Sequence, residues 1–249
     1  MLNLRKGRYA ARIAQTDADV ALAQALRHLA FVAGRGEPAR GEAREADAFD
    51  ARCRHVLVED MATGALVCCF RLLDTAGGGI GESYSAQFYD LSALRGFEGP
   101  MIEMGRFCLH PDWHDPDILR LAWGALTRLV DAEGVELLFG CSSFRGTDAS
   151  AYGDAFAMLR ERHLAPKRWL PRVKAPQVFR FAERLRRKAD ARRAMLAMPP
   201  LLKSYLALGG WVSDHAVVDP EMNTLHVFTG LEIRKVPPAR ARLLRAVAA

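Results

Sequence analysis

The 249-residue sequence predicts a mixed α/β fold: a mostly antiparallel central sheet, one central parallel βαβ crossover and flanking helices. Three observations carry this. Two apolar runs rich in strand formers, Cys53–Glu59 and Leu66–Leu73, flank the turn Asp60-Met-Ala-Thr-Gly64. Between Met101 and Cys141 an apolar strand, an amphipathic helix and a second apolar strand follow one another on short links, which makes the two strands parallel. A closing hairpin is written in Trp211–Val218 and Thr224–Leu231 around Asp219-Pro-Glu-Met-Asn223.

In chain order, Tyr9–Ala14 reads as a first strand. Thr16 caps a helix through Val32, with Val20, Ala23, Leu26 and Ala30 on its apolar face, and Gly34 stops it. Arg35–Arg52 is polar and reads as an ordered loop or a broken helix. Thr75–Ser83 is a turn; its GGGIGE lacks the following helix and Lys that a phosphate loop needs. Met101–Leu109 is a strand, and Asp115-Pro116 caps a helix carrying Ile118, Leu119, Ala122, Leu126, Leu129 and Val130. Gly134 ends that helix, and Val135–Cys141 is the second crossover strand. Ala149–Glu161 forms a helix, Gln177–Met198 a basic helix, and Pro199-Pro200 opens a short helix ending at Gly209-Gly210. No linker or repeat interrupts the chain, so residues 1–249 are expected to form a single domain, with a basic helical insertion at about 150–208 and a basic tail at 234–249.

Composition narrows the function. A chain that is 50% hydrophobic and 26% charged is neither disordered nor fibrous. It has no run of roughly 18 apolar residues and no apolar core to its N-terminal segment, so neither a membrane span nor a secretory signal is expected. The five cysteines, with no CxxC, read as reduced thiols of a cytoplasmic protein. None has a histidine at zinc-ligand spacing, so no metal is expected. The net charge of +6 is concentrated: Arg160–Arg193 holds thirteen Lys or Arg against Glu161, Glu183 and Asp190. Such a field attracts nucleic acid, anionic lipid or an acidic protein. No helix-turn-helix or stacking-aromatic pattern supports nucleic acid.

Several charged residues stand where strands should be apolar. Met101–Leu109 contains Glu103 and Arg106, and Leu66–Leu73 contains Arg71; Asp47 and Asp50 sit in the preceding loop. Glu103 and Arg106 are three apart and point to opposite faces unless a bulge near Gly105 breaks the alternation. Ionised groups in a strand are costly unless paired or used. Two readings follow: ion pairs of Arg71 or Arg106 with the acids, or a catalytic set.

The ordered set Arg27-His-Leu-Ala-Phe31, Asp47-Ala-Phe-Asp50, Phe70-Arg71-Leu72 and Glu103-Met-Gly-Arg106-Phe107 resembles the acyl-homoserine-lactone synthase and ornithine N-acyltransferase branch of the GNAT acyltransferase fold. Within it, FCLHPDWHD, Phe139–Asp148 and Pro199–Thr224 resemble ornithine–acyl carrier protein N-acyltransferases, which carry out the first step of ornithine lipid synthesis. Three positions depart from that pattern: Gly105 in place of Ser, His215 in place of Gly, and Leu225-His226 in place of Thr-Asp.

The resemblance implies transfer of a 3-hydroxy fatty acyl group from acyl carrier protein to the α-amine of ornithine. The acyl-phosphopantetheine arm is then a donor substrate, and no cofactor is tightly bound. Glu103 and Arg106 are the candidate catalytic residues, Glu103 as the base that takes the amine proton. Arg27, Phe31, Asp47, Asp50, Arg71, Phe107, Cys108, Ser142 and Ser143 are candidates for substrate binding. Among these, Arg71 or Arg106 would hold the ornithine carboxylate, Asp47 or Asp50 its δ-ammonium, and amides at Phe107–Leu109 with Ser142 or Ser143 the oxyanion. The two crossover strands are expected to splay, leaving a slot for the pantetheine arm, with Cys108 and Cys141 beside it. The loop His110–Pro116 has two Asp and two Pro, which suit a pyrophosphate poorly and a carrier protein better. Arg184, Arg186, Arg187 and Lys188 are candidates to meet the acidic carrier, and the same region could rest on anionic membrane. The alternatives are an acyl-homoserine-lactone synthase, an acyltransferase for another amino acid, and a non-catalytic basic module.

Overall fold

A computed structural model describes residues 2–33 and 43–248. The helix stop at Gly34 and most of the first half of the Arg35–Arg52 loop lie outside the described residues. In chain order the elements are β1 (Asn3–Lys6), β2 (Tyr9–Ile13), α1 (Asp17–Phe31), β3 (Arg54–Asp60), β4 (Leu66–Thr75), β5 (Tyr89–Asp90) and β6 (Met101–Leu109). Then come α2 (Pro116–Glu133), β7 (Leu137–Arg145), α3 (Gly153–Arg162), β8 (Arg172–Val173), β9 (Val178–Phe179), α4 (Phe181–Arg184), α5 (Ala191–Ala197) and α6 (Pro200–Ala207). The chain closes with β10 (Trp211–Val212), β11 (Ala216–Asp219), β12 (Thr224–Glu232) and α7 (Pro238–Ala248). No helix among the described residues is long and apolar enough to cross a membrane.

The chain divides into two compact units, and β6 runs from one into the other. The first unit comprises Met1–Asp74, Met104–Val135 and Pro238–Ala249. Here β1, β2, β3 and β4 pair antiparallel in sequence order. Thr16 opens α1 through a reciprocal capping box with Asp19, whose carboxylate also pairs with Arg12 at 2.7 Å. The helix lays Ala23 and Leu26 against Leu57, Cys69 and Cys108. Asp115 accepts from the Asp117 amide to cap α2, and Gly134 ends that helix at φ +63°, a conformation that suits glycine.

The second unit comprises Thr75–Glu103 and Glu136–Pro237. Met101–Glu103 pairs in parallel with Leu137–Phe139, as the crossover pattern predicts. This pairing stops at Glu103↔Phe139 although β7 continues to Arg145. The second crossover strand therefore starts later and runs longer than the apolar run indicates, and takes in Ser142 and Ser143. Its partner is β12, antiparallel from Leu137↔Glu232 to Arg145↔Thr224, followed by β11 and β9. The predicted strand Trp211–Val218 is split into β10 and β11. Ser213 inserts its hydroxyl there, accepting from the Phe228 amide and donating to the His215 carbonyl.

The predicted basic helix Gln177–Met198 is not formed. Residues 178–179 instead add a strand to β11, two short helices follow, and Leu185–Asp190 is not helical. The reason is aromatic packing. Phe179 and Phe181 both pack on Phe156, at 5.5 and 5.2 Å between centroids. Residues two apart share a face in extended chain but not in a helix. Asp190 then caps α5 through the Arg193 amide, breaking the run again.

Gly230 faces the Trp211 ring so closely that a Cβ would overlap it. Gly230→Ala is expected to cost about 1–3 kcal/mol by overpacking, whereas Gly78→Ala, in open space, stays within about 0.5 kcal/mol. Chemical denaturation of both variants checks this.

Candidate active site

The first unit gathers six charged side chains. Arg27 projects from α1 and is buried; it grips Asp50 with two guanidinium nitrogens, each 2.7 Å from a carboxylate oxygen. Its Nε also lies 2.7 Å from the Glu45 carboxylate, and its Nη2 donates to the Glu45 carbonyl. Arg71 projects from β4 and donates to both Asp47 oxygens, at 2.5 and 2.7 Å, and to Asp50 at 2.8 Å. Arg106 on β6 donates to Glu45 at 2.9 Å and to Asp47 at 3.0 Å. Three guanidiniums and three carboxylates thus interlock. Gln24 donates to Asp50 at 2.9 Å, and the His55 ring lies 3.1 Å from the Asp50 carbonyl.

Backbone conformation places these groups. Arg106 has φ +52°, which breaks the strict alternation of β6 as the bulge argument requires. Gly105 beside it has room: an added Cβ would meet the Arg71 side chain at 3.6 Å, an ordinary contact. His55 is the cross-strand partner of Arg71, so the two share a face. The loop before β3 delivers Glu45, Asp47 and Asp50, with the Asp47 carboxylate accepting from the Phe49 amide at 2.9 Å.

The electrostatics follow from these contacts. Burial pushes the Asp50 carboxyl up, but hydrogen bonds from Arg27, Gln24 and Arg71, with the charge of Arg27, outweigh it and hold the group well below the usual carboxylate range. Asp47 is lowered in the same way: burial is overcome by the hydrogen bonds and charge of Arg71 and by the charge of Arg106. Burial holds the His55 imidazole below its usual value. Cys108 is buried with its sulfur 3.5 Å from that of Cys69; that contact and burial push its thiol well up, which opposes a nucleophilic role. Phe107 stacks on Phe70 at 5.5 Å, and Phe31 packs beside the Leu26–Leu57 cluster.

Glu103 belongs to the second unit and is held differently. Its Oε1 accepts from the Ser85 amide at 2.7 Å and the Ser85 hydroxyl at 2.6 Å; its Oε2 accepts from the Tyr84 amide at 2.8 Å. Three donors fix the plane of the carboxylate. Glu103 is buried at the last residue of the parallel pairing with β7. On β7, Cys141 reaches the Ser85 hydroxyl at 3.4 Å, Ser142 accepts from Thr229 at 2.9 Å, and Ser143 is exposed. His215 and His226, two of the departures from the family pattern, meet at the buried Tyr89, their rings 5.2 and 5.6 Å from its own. The Tyr89 hydroxyl donates to the His226 carbonyl at 2.8 Å.

Of the basic candidates, Arg187 is tied to Asp154 at 2.5 Å, and Arg184, Arg186 and Lys188 are exposed. Among the described residues no group of His, Cys, Asp or Glu could hold a metal ion. Sequence reasoning missed Glu45, Gln24 and His55 in the first unit, and Tyr84 and Ser85 in the second. Glu45 had a signal: a third acid in a loop facing three arginines. Ser85 had none, because its role depends on where a turn brings it.

Residues 26–124 match the family model described as an acetyltransferase (GNAT) domain. The chain is 36% identical over 229 residues to the L-ornithine N(alpha)-acyltransferase of Rhodobacter capsulatus, with 88% of each chain covered. It is 30% identical over 247 residues to that of Brucella abortus, covering 93% of this chain and 87% of the relative. The structure of FeeM, an N-acyl amino acid synthase from uncultured soil microbes, shares the fold at a TM-score of 0.54 and 10% identity, over 92% of this chain and 94% of that one. With a GNAT-like α/β fold and this similarity along most of its length, the chain belongs to the L-ornithine N(alpha)-acyltransferase family.

Proposed function

We propose that this protein transfers a 3-hydroxy fatty acyl group from acyl carrier protein to the α-amine of L-ornithine, giving lyso-ornithine lipid. The observation that carries this reading is the 36% identity to an L-ornithine N(alpha)-acyltransferase over 88% of the chain. In the reaction the amine nitrogen attacks the thioester carbonyl, the N–C bond forms, the C–S bond breaks, and the departing pantetheine sulfur takes a proton. Glu103 receives the amine proton, directly or through water, from the fixed orientation that Tyr84 and Ser85 impose. Ser142 or Ser143, in the same unit as Glu103, is our candidate donor to the oxyanion.

Ornithine is itself a doubly cationic amino acid with a carboxylate, so it matches a lattice of arginines and acids. Asp47 is the more open acid, with 24% of its side chain exposed against 8% for Asp50. We assign Asp47 to the δ-ammonium and Arg71 or Arg106 to the carboxylate, with Arg27 and Asp50 bracing them.

A carrier-protein donor is supported by the start of α2. Asp115 accepts from both the Asp117 amide and the Tyr9 hydroxyl, each at 2.9 Å. A carboxylate therefore occupies the helix N-terminus that a pyrophosphate would otherwise favour. The exposed Arg184, Arg186 and Lys188, with Arg187, form the docking face for the acidic carrier in this reading. Met195 and Leu196 are exposed next to Arg192 and Arg193, a pattern suited to peripheral contact with the anionic inner face of the cytoplasmic membrane.

Incubation with 3-hydroxyacyl carrier protein and ornithine is expected to yield N-acyl-ornithine by mass spectrometry, and Glu103→Gln to lower the rate at least about 100-fold. Product with S-adenosylmethionine and none with ornithine would overturn the reading. Asp47→Asn is expected to raise the KM for ornithine about tenfold with kcat within about threefold; an unchanged KM removes Asp47 from the substrate. Asp50→Asn is expected to cost about 3 kcal/mol of stability, because it removes the buried negative charge that Arg27 and Arg71 share. The stabilisation from Asp47 and Asp50 is present above the unfolded carboxylate pKa of about 3.9 and is lost as pH falls through their lower folded values. Urea unfolding from pH 7 to 3 should show the onset of this loss below about pH 5, and Asp50→Asn should flatten it.

A further inference from the structure

The hydrogen bonds around Glu103 reach one residue further than the carboxylate itself. Glu103 is the cross-strand partner of Phe139, and Cys141 lies two residues along β7, so Glu103 and Cys141 face the same side of the sheet. Ser85, fully buried, stands between them, with its hydroxyl 2.6 Å from Glu103 and 3.4 Å from the Cys141 sulfur. An ionised carboxylate only accepts, so the single hydroxyl proton of Ser85 points to Glu103. In that arrangement the Cys141 thiol is the donor of its contact with the Ser85 oxygen. The result is a directed chain, S–H to O–H to carboxylate, and each donor polarises the next.

We propose that Ser85 is a positioning residue for acyl transfer, holding the Glu103 carboxylate ionised and in one orientation, with Cys141 as the outer link of the same chain. The proposal rests on the reading of Glu103 as the acceptor of the amine proton. The backbone contributes two of the three donors, from Tyr84 and Ser85, and these survive any side-chain change at Ser85. The hydroxyl is therefore a tuning element whose loss leaves the carboxylate in place. Titratable neighbours of Glu103 in this unit include Cys141 on β7 and Tyr205 on α6. The Tyr205 phenol is pushed up by burial and then by the Glu103 charge, so it stays protonated in the working range.

The test is the pH dependence of kcat/KM for ornithine in the wild type, Ser85→Ala, Cys141→Ala and Glu103→Gln. Removing a donor to the ionised form makes protonation easier, so the acid limb of the profile moves to higher pH. Ser85→Ala is expected to move it up by about one unit and to lower kcat about tenfold, with KM within about twofold. Cys141→Ala, which leaves the hydroxyl in place, is expected to move the limb in the same direction by less. If Ser85→Ala has the wild-type profile and rate while Glu103→Gln is inactive, the Ser85 proposal fails and the reading of Glu103 stands. If Glu103→Gln keeps full activity, the reading of Glu103 fails and takes the proposal with it. Should Ser85→Ala fold poorly, a wild-type profile in Cys141→Ala is sufficient to refute the chain.

Discussion

The first unit depends on one constraint: charges placed inside a sheet must be matched atom for atom. Arg27, Arg71 and Arg106 come from a helix and two strands, and Glu45, Asp47 and Asp50 come from one loop. Desolvation of any one of these groups alone would cost several kcal/mol. Together they neutralise one another, and the loop is held where all three acids find arginines. The lattice thereby fixes α1, the loop before β3, β4 and the second half of β6 to one another. The positive φ at Arg106 is a local strain that this matching supports.

Glu103, only three residues from Arg106, is stabilised by other means. Two amides and a hydroxyl converge on it, delivered by a turn remote in sequence. The strand therefore carries one carboxylate held by dipoles and one guanidinium held by carboxylates.

The second unit shows how aromatic packing overrides charge patterning. The arginine-rich segment after Gln177 reads as an amphipathic helix, yet Phe179 and Phe181 both seat against Phe156. Burying two aromatic rings on one neighbour outweighs the modest helix preference of arginine and alanine. Past Arg184 at the end of α4, the segment exposes Arg186 and Lys188 on non-helical chain, where like charges separate more readily than along one helical face.

Local rules were enough for much of this protein. Thr16 with Asp19, Asp115 with Pro116 and Gly134 mark helix ends because capping is a matter of neighbouring atoms. The crossover makes β6 and β7 parallel because chain handedness allows little else. Arg71 and Arg106 stand out in the sequence because a charge in an apolar run demands an explanation, whereas Arg27, Asp47 and Asp50 are marked by the resemblance of their motifs to a known family. Which acid meets which arginine was settled only by the tertiary structure, since several pairings satisfy the same charge count. The same holds for Ser85. A serine in a polar turn carries no local mark, and only the fold brings its hydroxyl to within 2.6 Å of a glutamate on β6.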